Sequence, residues 1–206
     1  MSIVEQLLTR SIAAGTLKRP ECLTTTMSLS RLILFPKDPQ LQLEVAPLME
    51  QLQQRQIADS QLPAQYGAES YLVGERFFDG FLFLGCSPAI ELAPTDSEAP
   101  FCYLQVEVEA VCQLVAGGRV KAVCKACKQR YQPLEVVTEG EMPMVRCHHC
   151  GEETAANEVA WRKSAALSAT RLSLWNIFEG EAVPSDQLLN LLAVQSGVQW
   201  TYAYIN

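Results

Sequence analysis

Cys124-Lys125-Ala126-Cys127 is answered further along the chain by Cys147-His148-His149-Cys150. Each pair encloses two residues, and nineteen residues separate the pairs. Zn²⁺ takes four ligands in a tetrahedron and suits thiolates, and two cysteines spaced in this way let one tight turn aim both sulfurs at a single ion. The expected ligands are Cys124, Cys127, Cys147 and Cys150, holding one Zn²⁺. Four protein thiolates close the coordination sphere and leave no position for water or substrate, so the expected role of the metal is structural. Either pair alone could be a thioredoxin-like redox motif. Two pairs at this separation, with no βαβ pattern around the first, argue against it. A catalytic or metal-transfer site is the remaining alternative.

The segment between the pairs must bring the chain back to the same ion. Arg130 to Val137 and Met142 to Arg146 can do so as two short strands, with the polar Thr138-Glu139-Gly140-Glu141 as the turn. Gly151 follows the second pair and can take the positive φ that such a turn needs. Residues 119 to 154 resemble a zinc ribbon, with Lys128 standing where ribbons commonly carry glycine. The resemblance implies Cys124, Cys127, Cys147 and Cys150 as ligands. It leaves the function open, because zinc ribbons occur in transcription factors, polymerase subunits, topoisomerases, ribosomal proteins and docking modules.

Little else in the sequence can do chemistry. The two histidines, His148 and His149, both lie inside the second cysteine pair. No Ser-His-Asp or Cys-His arrangement can therefore form away from that pair, and neither HExxH nor a histidine–carboxylate set is available. His148 or His149 could replace a cysteine as ligand, but Cys147 and Cys150 already have the spacing, which leaves the histidines as exposed residues of the turn. No GxxxxGK[ST] or GxGxxG is present. Cys86, in Gly85-Cys86-Ser87-Pro88, follows an apolar run where an α/β protein can place a nucleophile. It has no base near it in sequence, and packing is its expected role. Glu107 and Glu109 share one strand face about 7 Å apart by strand rise. Paired carboxylates can do acid–base work, but on an exposed face they serve solubility.

Composition narrows the field further. The chain has 206 residues, 49% of them apolar, which supports a sizeable core and excludes disorder as its main state. A net charge of −7 argues against a protein that coats nucleic acid or an anionic membrane with its whole surface. The charge is uneven. Residues 119 to 163 hold eight basic against six acidic side chains, while the remainder carries −9. Arg119, Lys121, Lys125, Lys128 and Arg130 form an acid-free basic run around the first cysteine pair. It reads as a solvated face balancing a doubly negative metal centre, or alternatively as a phosphate-contacting patch. Of eight cysteines, four belong to the metal; Cys22, Cys86, Cys102 and Cys112 sit in apolar surroundings as small buried hydrophobes. With no secretory signal pattern and no expected disulfide, a cytoplasmic location fits. No run is long enough to span a membrane, so no membrane partner is expected.

Taken in order, periodicity predicts a helix over residues 2 to 17, a strand over Leu29 to Phe35 and a helix over Leu41 to Ile57. Strand material follows at Tyr71 to Val73 and at Phe77 to Leu84, where Phe81-Leu82-Phe83-Leu84 suggests a central strand covered on both faces. Pro94 to Pro100 is a loop and a candidate boundary. Phe101 to Val115 alternates cleanly. Gly117-Gly118 then signals a hairpin, with Arg119 to Val123 as its return strand. Asn157 to Phe178 reads as a long helix. A shorter helix capped by Ser185 or Asp186 ends at Ser196-Gly197, and Val198 to Ile205 is a last strand. Its Trp200, Tyr202 and Tyr204 pack in the core or, alternatively, face a partner.

The expected fold is α+β, a mostly antiparallel sheet with flanking helices and a projecting Cys₄ zinc ribbon. Residues 1–118 would form the main domain, 119–154 the ribbon, and 155–206 helices and a strand packing back on the main domain. The expected function is a non-enzymatic adaptor or assembly factor that uses the ribbon to dock a protein. A nucleic-acid-binding regulator using Arg119, Lys121, Lys125, Lys128 and Arg130 is the alternative, followed by a metal carrier or metal-dependent enzyme.

Overall fold

Among the described residues, strands outweigh helices. The computed structural model describes residues 30–84, 90–95, 100–137 and 141–206. Their order is β1 (Arg31–Pro36), α1 (Val45–Gln54), β2 (Ala58–Gln61), a 3₁₀ turn (Ala64–Tyr66), β3 (Ser70–Val73), α2 (Phe77–Gly80), β4 (Phe81–Phe83), β5 (Tyr103–Ala116), β6 (Glu135–Val136), β7 (Met144–Arg146), β8 (Glu153–Ala155), a second 3₁₀ turn (Ala156–Glu158), β9 (Ala165–Trp175), β10 (Ala182–Pro184), α3 (Asp186–Ser196) and β11 (Trp200–Ile205). The fold is α+β. A six-stranded sheet runs β11-β1-β9-β5-β3-β2, and every neighbouring pair in it is antiparallel. The expected helix at residues 2 to 17, together with Cys22, Cys86 and most of the Thr138-Glu139-Gly140-Glu141 turn, lies outside the described residues.

The main core lies on the helix-bearing face of this sheet. Leu32 and Leu34 of β1, Leu104 and Val106 of β5, and Leu172 and Leu174 of β9 pack with Leu48, Met49 and Leu52 of α1 and with Leu188 and Leu192 of α3. Burying one such side chain contributes about 1.5–3 kcal/mol. Pro47 is accommodated because it falls in the first turn of α1, where its missing N–H costs no helical bond. Helix α3 begins and ends as its sequence predicts. Ser185 Oγ accepts a hydrogen bond from the Leu188 N–H at 3.2 Å, and Gly197 closes the helix in the left-handed region at φ 71°. The Trp200–Tyr204 stripe belongs to this core. Trp200 and Tyr204 are buried, and Tyr202 packs partly against them while the Lys163 ammonium sits 3.7 Å from its ring centre.

Three expected elements are corrected. The helix predicted over Asn157 to Phe178 is instead a 3₁₀ turn followed by β9, a strand inside the sheet between β1 and β5. Every residue from Ala165 to Leu174 is buried. With both faces covered, its alternation disappears from the sequence. Its polar side chains are satisfied by distant partners. Thr170 Oγ1 donates to Leu41 O at 2.7 Å, and Arg171 Nη2 donates to Glu109 Oε1 at 3.1 Å.

The run Phe77 to Leu84 is not a covered central strand. It opens as the short helix α2, so that Phe77 and Phe81, four residues apart, both reach the core. The remainder is β4, paired with β10 in a two-stranded sheet, with Leu82 and Leu84 exposed. Nor do Gly117 and Gly118 turn a hairpin. β5 pairs with β9 and β3, and Arg119 to Val123 leaves the sheet. A side chain on Gly117 would lie 2.3 Å from Asn206 O, and the Gly118 N–H donates to that oxygen at 2.9 Å. Gly117 admits the residue after β11 rather than a reversal.

Strand β5 itself occurs at Tyr103–Ala116, close to its expected span. Its inward face is interrupted: the pairing with β9 shifts between Val108 and Gln113, and residues 108 to 111 are exposed. Below the shift Cys102, Leu104 and Val106 serve the main core. Beyond it Cys112 and Leu114 join a separate cluster with Ala156, Leu167 and Trp161.

Candidate metal centre

Residues 119–137 and 141–158 form a small cysteine module built on β6, β7 and β8. β7 is the middle strand of this three-stranded antiparallel sheet. Arg146 on β7 pairs with Glu135 of β6 at 2.9 Å and Glu153 of β8 at 2.7 Å. These pairs are exposed and contribute at most about 1 kcal/mol each. The interior does more. Val120, Ala122, Tyr131, Val145 and Val159 surround the sulfurs of Cys124 and Cys147, and Leu114, Ala116 and Trp161 extend this cluster into the main sheet.

Both cysteine pairs sit on turns with the same backbone bonds. In the first, the Cys124 N–H donates to Gln129 O at 2.8 Å and the Lys128 N–H donates to Cys124 O at 3.0 Å. In the second, the Cys147 N–H donates to Glu152 O and the Gly151 N–H to Cys147 O, both at 2.8 Å. Each turn requires a left-handed residue four positions after its first cysteine. Gly151 supplies it at φ 77°, as the sequence leads one to expect, and Lys128 takes φ 63° in the equivalent place.

The two turns bring Cys124, Cys127, Cys147 and Cys150 together, with their sulfurs all within 4.8 Å of one another. Cys124 and Cys150 are 3.8 Å apart, and Cys127 and Cys147 are 3.6 Å apart. A tetrahedron with metal–sulfur bonds of about 2.3 Å has an edge of about 3.8 Å, so the donor set fits one tetrahedral ion. All four cysteines are free of disulfides.

Crowding spreads the acidities of the thiols. The backbone N–H groups of Cys127 and Ala126 and the neighbouring thiols bring Cys124 down to about 6. Cys150 is pulled down by the Glu152 N–H, yet desolvation of its sulfur and the other three sulfurs crowded against it outweigh this and push it up to about 12. One thiolate forms readily and opposes the last, which is the situation a bound cation relieves.

The remaining sequence candidates are dispersed. Cys102 is buried in the main core and Cys112 in the cluster with Ala156 and Leu167, and burial pushes them up to about 12 and about 11, the setting of inert packing thiols. His148 and His149 are exposed, with their rings 5.9 Å apart edge to face. The basic run is divided. Lys125 and Lys128 occupy the first turn, where Lys128 Nζ donates to Lys125 O at 2.6 Å. Arg119, Lys121 and Arg130 line a cleft at the base of the module.

Glu107 and Glu109 are not simply solvated. Glu107 meets Arg31 at 3.1 Å and Arg171 at 3.4 Å, and Glu109 meets Arg171 at 3.1 Å. Arg171 is only 2% exposed. This network escaped sequence reasoning because Arg171 was expected on a helix. Local composition gave no signal for it: between residues 164 and 175 Thr170 and Trp175 favour strands, against three alanines and three leucines that favour a helix.

Among the described residues, no helix is long and apolar enough to cross a membrane. No protein-family model, no curated protein and no solved structure matches this chain, so its functional reading rests on these residues and their geometry.

Proposed function

We propose that the chain is a non-enzymatic cytoplasmic adaptor or assembly factor. In this reading Cys124, Cys127, Cys147 and Cys150 hold one structural Zn²⁺, and the surface around them docks another protein. The observation that carries it is the convergence of four sulfurs at tetrahedral spacing from two backbone-matched turns. Four thiolates leave the ion no open position for chemistry. The module also has what a docking element needs, a fixed seat on the rest of the chain. The Lys121 N–H donates to Ser164 Oγ at 2.8 Å, and Ser164 Oγ donates to Trp161 O at 2.6 Å. Tyr131 and Trp161 pack with ring centres 6.3 Å apart.

A tetrahedral set of four thiolates also suits iron. Elemental analysis of protein purified without added metal is expected to find one zinc per chain; iron in its place would overturn the zinc assignment. Affinity capture from the native cell should recover a partner protein with the wild type and lose it with Cys147→Ser. Recovery that ignores Cys147→Ser would overturn docking through the module.

The nucleic-acid-binding regulator keeps support from one observation. Arg119, Lys125, Lys128 and Arg130 are exposed, and none of them has an ion pair among the described residues. That reading demands affinity tighter than the ordinary non-specific range of about 10⁻⁴–10⁻⁶ M at physiological salt.

A further inference from the structure

The cleft at the base of the module has a volume of about 540 Å³. Arg119, Lys121 and Arg130 enter it from the module side, Tyr204 from β11, and Ser164 and Glu179 from the connections on either side of β9. The convergence is tertiary. The antiparallel bridge between Val123 and Arg130 folds Arg130 back beside the stretch that carries Arg119 and Lys121. Lys121 already pairs with Glu179. Arg119 and Arg130 are exposed and have no ion pair among the described residues.

We infer that this cleft receives a short acidic peptide segment of the docked protein, with its carboxylates on Arg119 and Arg130. The inference rests on the docking reading and adds the chemistry of the partner. Guanidinium forks match carboxylates with two parallel hydrogen bonds, and the cleft lies within the size range of discrete ligand sites. Lys121 offers a third cation when an incoming carboxylate replaces Glu179.

A nucleic acid fits less well. Single-stranded chains are gripped by basic grooves with exposed aromatic platforms. The aromatic residue lining this cleft, Tyr204, is 8% exposed, and its hydroxyl is engaged at 2.7 Å with Ala182 O. A polyanion also meets the long-range repulsion of a chain at −7, which a segment with few carboxylates feels less.

The test uses the full, zinc-loaded chain and a short fluorescent peptide of alternating glutamate and serine, followed by anisotropy. The glutamate peptide should bind and its glutamine counterpart should not. Arg119→Glu combined with Arg130→Glu should weaken binding by about tenfold or more, with zinc content unchanged. Glu179→Gln should tighten it by releasing Lys121. Equal binding of the glutamine peptide, or no loss in the double arginine variant, would overturn the inference. So would displacement of the peptide by a single-stranded oligonucleotide at lower concentration. A captured partner that the double arginine variant retains but Cys147→Ser loses would remove the cleft and leave docking through the module standing. Peptide binding that depends on the arginines, without any partner captured through the module, would remove the docking reading instead.

Discussion

The two cysteine turns share one backbone and differ in nearly everything attached to it. Cys124 and Cys147 open their turns fully buried, and Cys127 and Cys150 close them nearer the surface, with Cys150 exposed. The first turn carries Lys125 and Lys128, and the second carries His148 and His149. At the left-handed position one has Lys128 and the other Gly151. Backbone hydrogen bonds and the demand of four sulfurs for one point therefore dictate the turn. The residue at its tightest position is a preference, which costs a non-glycine residue about 1–2 kcal/mol. The side chains on the turns are free to present different surfaces.

The severest way to break this equivalence is to remove a buried sulfur. Cys124→Ser and Cys147→Ser should each abolish metal retention, which contributes about 10–16 kcal/mol to folding in small isolated modules. Hydrogen exchange should then show residues near 119 to 154 losing protection while β1 and β9 keep theirs. Global unfolding would contradict a module that depends on metal more than the main sheet does.

Acidification should act on both turns together. The folded turn holds Cys124 near 6, below the ordinary thiol value of 9.0, so it favours the thiolate. That contribution is full above about 9 and is lost as pH falls through about 6. Metal should be retained at neutral pH and released on acidification, as protons compete with the ion for the four thiolates, a release followed with a chromogenic zinc chelator.

A subtler comparison sets the exposed end of a turn against its buried start. Cys150→His should keep the metal, because imidazole is a zinc ligand and the position is open to solvent. Cys147→His should not, since Cys147 has no exposed surface and a larger ring would displace Val145 and Tyr131. Equal chelator resistance in both variants would show that burial does not distinguish the positions.

The smallest effects concern the left-handed residues. Gly151→Ala should destabilise the module by about 1–2 kcal/mol through backbone conformation alone, since a Cβ there meets nothing within 4 Å. Lys128→Gly should act in the opposite direction by less than about 1 kcal/mol, because glycine relieves the strain but loses more backbone entropy on folding. Thermal melts monitored at the module would read both signs.

Much of the centre was legible because its determinants are local. CxxC spacing, a glycine after the second pair and short polar connections report a turn within a few residues of themselves. For the same reason Ser185 and Gly197 bounded α3 correctly: a cap bonds its own helix. Misreadings occurred where a residue's role depends on a distant partner. Thr170, Arg171 and Ser173 have no visible reason to be buried until Leu41, Glu109 and Glu107 are placed beside them. Gly117 and Gly118 look like a hairpin until Asn206 arrives.

By itself, then, the amino-acid sequence determined the four converging cysteines, the antiparallel α+β class and the ends of α3. Each follows from residue type and short-range spacing. Only the tertiary structure decided that β9 is an interior strand and that the basic run divides between a turn and a cleft. Strand pairing joins residues far apart in the chain, and the burial of a polar side chain depends on what those distant residues offer it.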